Sequence, residues 1–361
     1  MSLFPPQWQP PADPARTPCP YATDFRVTID AHTPPPPFGH RDYRDNNHVR
    51  PHNIPEEERK TMTKTQLVLA DPPMETACPQ GPRKTAELII TEPIATGDDR
   101  GSQVAFVRIT PAKAAGKPPF VATAKIFDPM YYPFETEEFP GYPEEVSYNA
   151  DREYSREASA LSYATQVGLA GGFVPKFYGS WTFNLDVPGS QATRPVRLVL
   201  YEQIRGTSLY SLQRRYRKGN EEHFDAFYLP EKYRLEVFAL LLDGQVRLLH
   251  KGLNQKDLAP RNVIVSPAPA ANDPEPVVKR VTLIDYANSI VYPLSRHKRH
   301  PHQELALPKN PMEYFRGGVG MQFDGWVPDV FPGYEKWLQE TFGRKDKAAK
   351  YAPVAEDPPE E

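Results

Sequence analysis

The stretch that decides the fold is KDLAPRNVIV at residues 256–265, followed by TLIDYAN at residues 282–288. Asp257 and Asn262 come after an amphipathic run that predicts a long helix and before an apolar run that predicts a strand. Asp285 ends the next apolar run. A pair of neighbouring strands would bring these carboxylate and amide oxygens to one place, and magnesium prefers such hard ligands. The pattern therefore predicts a metal site for phosphate chemistry.

The periodicity of the remaining chain predicts strands in the first half and helices in the second. In EKYRLEVFALLLDGQVRLLH, at residues 231–250, apolar side chains recur at three- and four-residue steps, as in an amphipathic helix. A second helix is predicted for residues 151–171. Runs rich in β-branched and aromatic residues predict strands at 86–92, 103–110, 120–127, 176–185, 196–204, 262–266 and 280–286.

Residues 1–82 differ in composition, because many of the 43 prolines of the chain lie there, including Pro34 to Pro37 in a row. Proline fixes φ and lacks an N–H donor, so this segment is predicted to be a largely disordered tail. It would serve as a spacer or as a ligand for an adaptor with an aromatic groove. The apolar patch Phe25–Ile29 could add a strand or dock on the domain. Otherwise, deletion of residues 1–80 should leave the domain folded.

Composition also excludes several classes of function. The formal net charge of the 361 residues is −3, which gives no electrostatic case for a nucleic-acid or anionic-membrane partner. The start MSLFPPQWQP lacks the basic and apolar regions of a secretory signal, and no run approaches about 20 apolar residues. Cys19 and Cys78 have no metal-ligand spacing and predict no disulfide framework. We therefore expect an intracellular, cytoplasmic protein.

The motifs around Asp257 and Asp285 resemble those of the protein-kinase-like superfamily, including small atypical fungal-type kinases and aminoglycoside-phosphotransferase relatives. D-L-A-P-R-N, which contains Asp257 and Asn262, is similar to the catalytic-loop motif D-L-x-x-x-N. D-Y-A, beginning at Asp285, stands where the family has D-F-G. The resemblance covers about residues 85–343 and implies an enzyme that uses ATP and magnesium.

The resemblance also implies an α+β, bilobal protein-kinase-like fold. Its N-lobe, at about residues 83–203, would be an antiparallel sheet, and its C-lobe, at about residues 204–343, would be mostly helical. The kinase-like domain at 83–343 would lie between the disordered tail and a charged C-terminal tail at 344–361.

Residue roles follow from the same resemblance. Asp257 would orient the acceptor hydroxyl, while Asn262 and Asp285 would hold the metal. Lys125, in ATAKIF, resembles the phosphate-binding lysine of the V-A-I-K strand, and Glu157 resembles the glutamate that pairs with it.

The adenine and phosphate contacts would come from the turn and the interlobe hinge of the first lobe. Gly97, Gly101 and Val104 lie where the family has its glycine-rich loop, although ATGDDRGSQV is not G-x-G-x-x-G and is equally consistent with a hairpin turn. Glu202 and Gln203 correspond to the hinge at the adenine edge.

Departures from the family leave alternatives open. Gln255 and Lys256 replace the His-Arg of H-R-D, and no A-P-E follows Asp285. SRHKRHPH, at residues 295–302, would hold an anionic group or form a solvated loop. The leading hypothesis is a phosphotransferase that acts on a hydroxyl of a protein or small molecule. The alternatives are a pseudokinase that binds nucleotide or protein, and an adaptor that acts through its tail.

Overall fold

The computed structural model describes residues 8–51, 54–76, 84–112, 116, 118–135, 141–187, 191–218, 221–270, 273–328, 331–344 and 349–354. Cys78 and most of the C-terminal tail lie outside these ranges. The chain divides into two compact units. The first consists of Met1–Ser162 and Phe177–Gln203, and the second of Tyr163–Lys176 and Ile204–Glu361.

The first unit is built on a closed antiparallel barrel of six strands, in the order β1-β2-β3-β4-β6-β5. Three helices accompany the barrel, and the last of them continues into the second unit. The elements are β1 Arg26–Ala31, α1 Glu56–Arg59, α2 Lys64–Ala70, β2 Thr85–Ala95, β3 Gln103–Pro111, β4 Phe120–Phe127, α3 Val146–Gln166, β5 Phe177–Asp186 and β6 Thr193–Tyr201.

The barrel core follows from the two-residue period of its strands. On β3, Ala105, Val107 and Ile109 are buried, whereas Arg108 between them is exposed. β4 differs because every residue from Ala122 to Phe127 is buried. A charged side chain on β4 therefore lies in an environment that water hardly reaches.

β1 comes from the segment that composition predicts to be disordered, and that prediction is wrong. β1 pairs with β2 over Arg26–Asp30 and also with β5 through Asp30 and Ala31. Further along, Pro35 and Pro37 of the proline run are buried. The prolines of this segment lie between packed elements and do not prevent the segment from packing.

The second unit combines short strands with two longer helices. Its elements are β7 Thr207–Ser208, α4 Leu209–Leu212, β8 Arg214–Lys218, β9 Glu221–Asp225, α5 Glu231–His250, β10 Leu253–Asn254, β11 Val263–Ser266, β12 Arg280–Leu283, β13 Ile290–Val291, α6 Pro311–Tyr314 and α7 Phe331–Phe342. β11 lies between β12 and β7, and the apolar face of α5 is buried. Across the ranges described above, no helix has the length and apolar character needed to cross a membrane.

The predicted bilobal kinase-like fold is wrong. The prediction for the N-lobe is an antiparallel sheet, but β1 closes the sheet into a six-stranded barrel. A mostly helical C-lobe was also expected. In the described part of the second unit only α5 and α7 exceed a single turn, and seven short strands accompany them. The local period of the sequence predicts most of the strands, but it contains no information about the pairing of β1 with the distant strand β5.

If β1 closes the barrel, Ile29→Ala should lower the free energy of unfolding by about 2–5 kcal/mol, because Ile29 is completely buried. Thr28→Ala is the matched control, since Thr28 is exposed on the same strand, and it should change stability by less than about 0.5 kcal/mol. Chemical denaturation of the full chain measures both. Equal, negligible effects would show that residues 26–31 do not pack on the barrel.

Candidate functional site

Lys125 and Glu157 form a buried ion pair in the first unit. Nζ of Lys125 lies 2.9 Å from Oε2 of Glu157, and the two residues are only 4% and 1% exposed. β4 supplies the lysine and α3 the glutamate. A buried ammonium requires a compensating charge, so each residue depends on the other. The structure thus brings together the two residues that the sequence analysis pairs.

The turn between β2 and β3 contains Gly97 and Gly101, both at positive φ, 133° and 79°. The N–H of Gly97 donates to Oε1 of Gln103 at 2.7 Å. The N–H of Gly101 donates to the carbonyl of Tyr131 at 3.3 Å. A phosphate cradle presents such donors to its ligand. Here both donors are bonded to other groups of the first unit.

The other predicted nucleotide-binding residues of the first unit lie on or directly after neighbouring strands. Val104, on β3, is the register partner of Lys125 on β4. Glu202 follows β6, and its carbonyl accepts a hydrogen bond from Oγ1 of Thr123 at 3.5 Å. Gln203 is the last residue of the first unit. Since β4 lies between β3 and β6, Val104, Lys125 and Glu202 occupy one continuous part of the sheet.

In the second unit, Asp257 lies in the loop between β10 and β11. Nη2 of Arg261 lies 2.8 Å from each of its carboxylate oxygens. Nδ2 of Asn262 donates to the carbonyl of Asp257 at 2.9 Å and to Oδ2 at 3.0 Å. The side chains of Asp257 and Arg261 are 27% and 61% exposed, and an ion pair that solvent reaches contributes only about 0–1 kcal/mol. Asn262 fixes Asp257, whereas Arg261 can be exchanged for another donor at little cost.

Asp285 lies at the same end of the β11–β12 hairpin as Asn262. β11 and β12 pair with Val263 opposite Leu283, and the N–H of Ile284 then donates to the carbonyl of Asn262 at 2.8 Å. The backbone turns sharply here, because Asp285 has a φ of 61°. Such a conformation costs a non-glycine residue about 1–3 kcal/mol and persists only where its surroundings enforce it.

Gln255 has a role that the sequence analysis missed. Its buried amide donates to the carbonyl of Asp285 at 2.7 Å and to that of Ile284 at 3.2 Å. Its Oε1 accepts the N–H of Asp257 at 2.8 Å. One side chain thereby ties the Asp257 loop to the Asp285 turn. The signal in the sequence is an amide side chain, which can both donate and accept a hydrogen bond, two positions before Asp257.

Asn262 and Asp285 fit a magnesium site in their donor chemistry. The bonds from Asn262 to Asp257 use the amide nitrogen, so the amide oxygen is the atom that would bind a metal. Among the residues with described positions, no three His, Cys, Asp or Glu side chains are grouped as metal ligands. An amide oxygen and a carboxylate are the type of hard oxygen ligand that magnesium prefers.

In the basic loop at residues 295–302, the arginine and lysine side chains face solvent, whereas the rings of His300 and His302 pack against other rings. Arg296, Lys298 and Arg299 are exposed. Nδ1 of His300 accepts the N–H of His302 at 3.0 Å, and the His302 ring packs edge-on against that of Tyr314. Burial lowers the pKa of His300 and lowers the pKa of His302 to about 4. Near pH 7 both rings are therefore neutral packing groups.

Comparison with known proteins gives little. No protein-family model and no curated protein matches the chain. Among solved structures, the chain is similar to a BubR1 kinase domain, with 14% identity and a TM-score of 0.33. The match covers 62% of this chain and 52% of that one, so the chain spans about half the length of that structure. Its kinase-like similarity is distant and supports no argument about fold or activity.

Replacement of Gln255 tests its role at the hairpin end. Gln255→Ala should lower the free energy of unfolding by about 1–3 kcal/mol, because backbone groups of Asp257 and Asp285 lose their partner. Lys251→Ala, at an exposed position just after α5, is the control and should have little effect. Urea denaturation of both variants makes the comparison. Equal stability of the two would contradict the role of Gln255.

Acidification should destabilise the protein through His302. Its pKa in the folded state, about 4, lies below its ordinary value of 6.5, so the unfolded chain binds more protons between these values. The contribution to stability is complete above about pH 6.5 and is lost as the pH falls toward 4. The difference in melting temperature between pH 7 and pH 5 should be smaller in His302→Gln than in wild type. If this difference in melting temperature is the same in wild type and His302→Gln, His302 is not the cause of the acid destabilisation.

Proposed function

We propose that this protein is an ATP- and magnesium-dependent phosphotransferase, which moves the γ-phosphoryl group of ATP to a hydroxyl group of a protein or small molecule. The main support is that Asp257, Asn262 and Asp285 lie together in the second unit, tied by Gln255. Phosphoryl transfer needs one carboxylate to orient the attacking hydroxyl and further oxygen ligands to hold the metal. This loop and hairpin provide both.

The predicted catalytic and metal-binding residues then have separate roles. Asn262 and Asp285 hold magnesium, which when bound neutralises charge on the phosphates. Lys125 binds oxygens of the α- and β-phosphates. Glu157 fixes the position of that lysine through their charge-assisted contact.

The transfer step itself involves Asp257. The acceptor oxygen forms a bond to the γ-phosphorus, while the bond from that phosphorus to the β–γ bridging oxygen breaks and ADP leaves with the electron pair. Asp257 accepts the hydrogen bond and then the proton of the acceptor hydroxyl, and releases the proton to solvent. The hydroxyl must first replace Arg261 as the partner of Asp257. The exposed position of Arg261 makes this exchange inexpensive.

A nucleotide-binding or protein-interaction module without turnover is the second candidate. Two sets of contacts favour this candidate. The N–H groups of Gly97 and Gly101 are bonded within the first unit, so they do not donate to phosphate. Both carboxylate oxygens of Asp257 contact Arg261, which occupies the group that would orient the acceptor.

Substitution of the two aspartates separates these functions. Asp285→Asn should weaken magnesium-dependent ATP binding and abolish transfer, because it removes a charge from the metal site. Asp257→Asn should leave ATP affinity nearly unchanged and slow transfer about 10²–10⁴-fold, because its interaction matters in the transition state. Binding is measured by the thermal shift with ATP, with and without magnesium, and transfer by self-phosphorylation or slow ATP hydrolysis.

Asp273→Asn is the matched control, since Asp273 is an exposed aspartate of the same unit. It should change neither binding nor transfer. Wild type that binds ATP with magnesium but shows no turnover would establish the module instead of the enzyme. Absence of magnesium-dependent ATP binding in wild type would remove the enzyme and the nucleotide-binding module, and would leave the protein-interaction module.

A further inference from the structure

The helix that carries Glu157 is anchored by a buried ion pair from the N-terminal part of the chain. Oδ2 of Asp151, on α3, accepts from Nη1 of Arg50 at 2.6 Å and from the N–H of Met74 at 2.8 Å. Nη2 of Arg50 also binds Oδ2 of Asp71 at 2.7 Å. Arg50 is 3% exposed and Asp151 1%, so removal of Arg50 would take the buried counter-charge from the Asp151 carboxylate.

Further contacts hold α3 closer to Glu157. Nδ1 of His32 lies 2.7 Å from the hydroxyl of Tyr154, which precedes Glu157 by three residues and so faces the same side of the helix. Nε of Arg156 donates to the carbonyl of Phe38 at 2.8 Å. Residues 32–51 and 54–74, which we call the clamp segment, therefore contact α3 at Asp151, Tyr154 and Arg156.

These contacts restrict how α3 can move. A helix advances 1.5 Å and turns about 100° per residue, so a slip of one residue would break the contact of Glu157 with Lys125 at 2.9 Å. Contacts at Asp151, Tyr154 and Arg156 fix both the axial position and the rotation of the helix. The barrel holds Lys125 independently, through β4.

We propose that the clamp segment is a built-in positioning element that holds α3 where Glu157 meets Lys125, with Arg50 as its main positioning residue. The inference rests on the proposed function, in which Lys125 binds the phosphates of ATP. In that setting the clamp segment keeps the phosphate-binding lysine oriented.

The test is the rate at which an acetylating reagent modifies Lys125 in the full chain, measured by mass spectrometry without nucleotide. Arg50→Met should raise this rate at least about tenfold, because the buried carboxylate of Asp151 is left unpaired and α3 shifts. The backbone amides of β3 and β4, which pair in the barrel outside the clamp segment, are the internal reference and are followed by hydrogen exchange. General unfolding would expose these amides together with Lys125, whereas displacement of α3 exposes Lys125 alone.

Four further variants complete the design. Glu157→Gln should raise the rate at Lys125, and Arg50→Met added to it should raise the rate no further, because the positioned pair is already lost. Arg50→Lys should recover part of the protection. Arg26→Met, which removes an exposed ion pair of β1 with Glu87, is the control and should leave Lys125 protected.

Unchanged acetylation of Lys125 in Arg50→Met, or a matching loss of amide protection in β3 and β4, would overturn the inference. If Arg50→Met does not fold, Tyr154→Phe removes only the hydroxyl that contacts His32 and should give a smaller rise at Lys125 alone; no rise would count against the clamp. Acetylation requires no ATP. If the protein proves to have no phosphotransferase activity, the acetylation result still stands. If the acetylation result fails, the proposed activity is still open to its own test.

Discussion

The backbone pairing of β1 with two other strands is the constraint on which the first unit depends. β1 satisfies the hydrogen-bonding groups of β2 along one edge and those of β5 along the other. Without it, both strands would present open edges, and unpaired backbone groups are costly wherever water is excluded. β4 lies between β3 and β6 through its own pairing with them. Lys125 is therefore held in a sheet that a strand about a hundred residues earlier in the chain closes into a barrel.

Buried charges accompany this closure and give it specificity. Arg194 pairs with Asp128, whose other oxygen accepts the hydroxyl of Tyr21 at 2.5 Å. Arg50 pairs with Asp151 in the same unit. Replacement of such pairs by apolar residues often costs nothing in stability, whereas loss of one partner is expensive. They therefore favour one packing of the N-terminal residues over others, and that packing is what α3 requires.

The second unit achieves its geometry by a different means. Lys256 and Asp285 both have positive φ, 67° and 61°, and these two turns flank the predicted catalytic residues. The amide of Gln255 joins the two turns. Strained backbone of this kind is kept only where neighbouring contacts enforce it, and it is common where a site must be rigid before a ligand arrives. Gln255 enforces it here with three hydrogen bonds to the backbone.

The sequence by itself determined the elements whose side chains carry a local period. It placed α5 at residues 231–250, predicted β3, β4 and β11 to within a residue or two, and identified Lys125 with Glu157 and Asp257 with Asn262 as groups that belong together. Only the tertiary structure decided that β1 closes a barrel, that Arg50 reaches Asp151 and that Gln255 links two loops. The physical reason is range. A helical or strand period is visible in a few consecutive residues. Closure of the barrel and the pairing of Arg50 with Asp151 depend on partners about a hundred or more residues away, and the bond of Gln255 to Asp285 joins two loops 30 residues apart. Composition and spacing do not specify such partners.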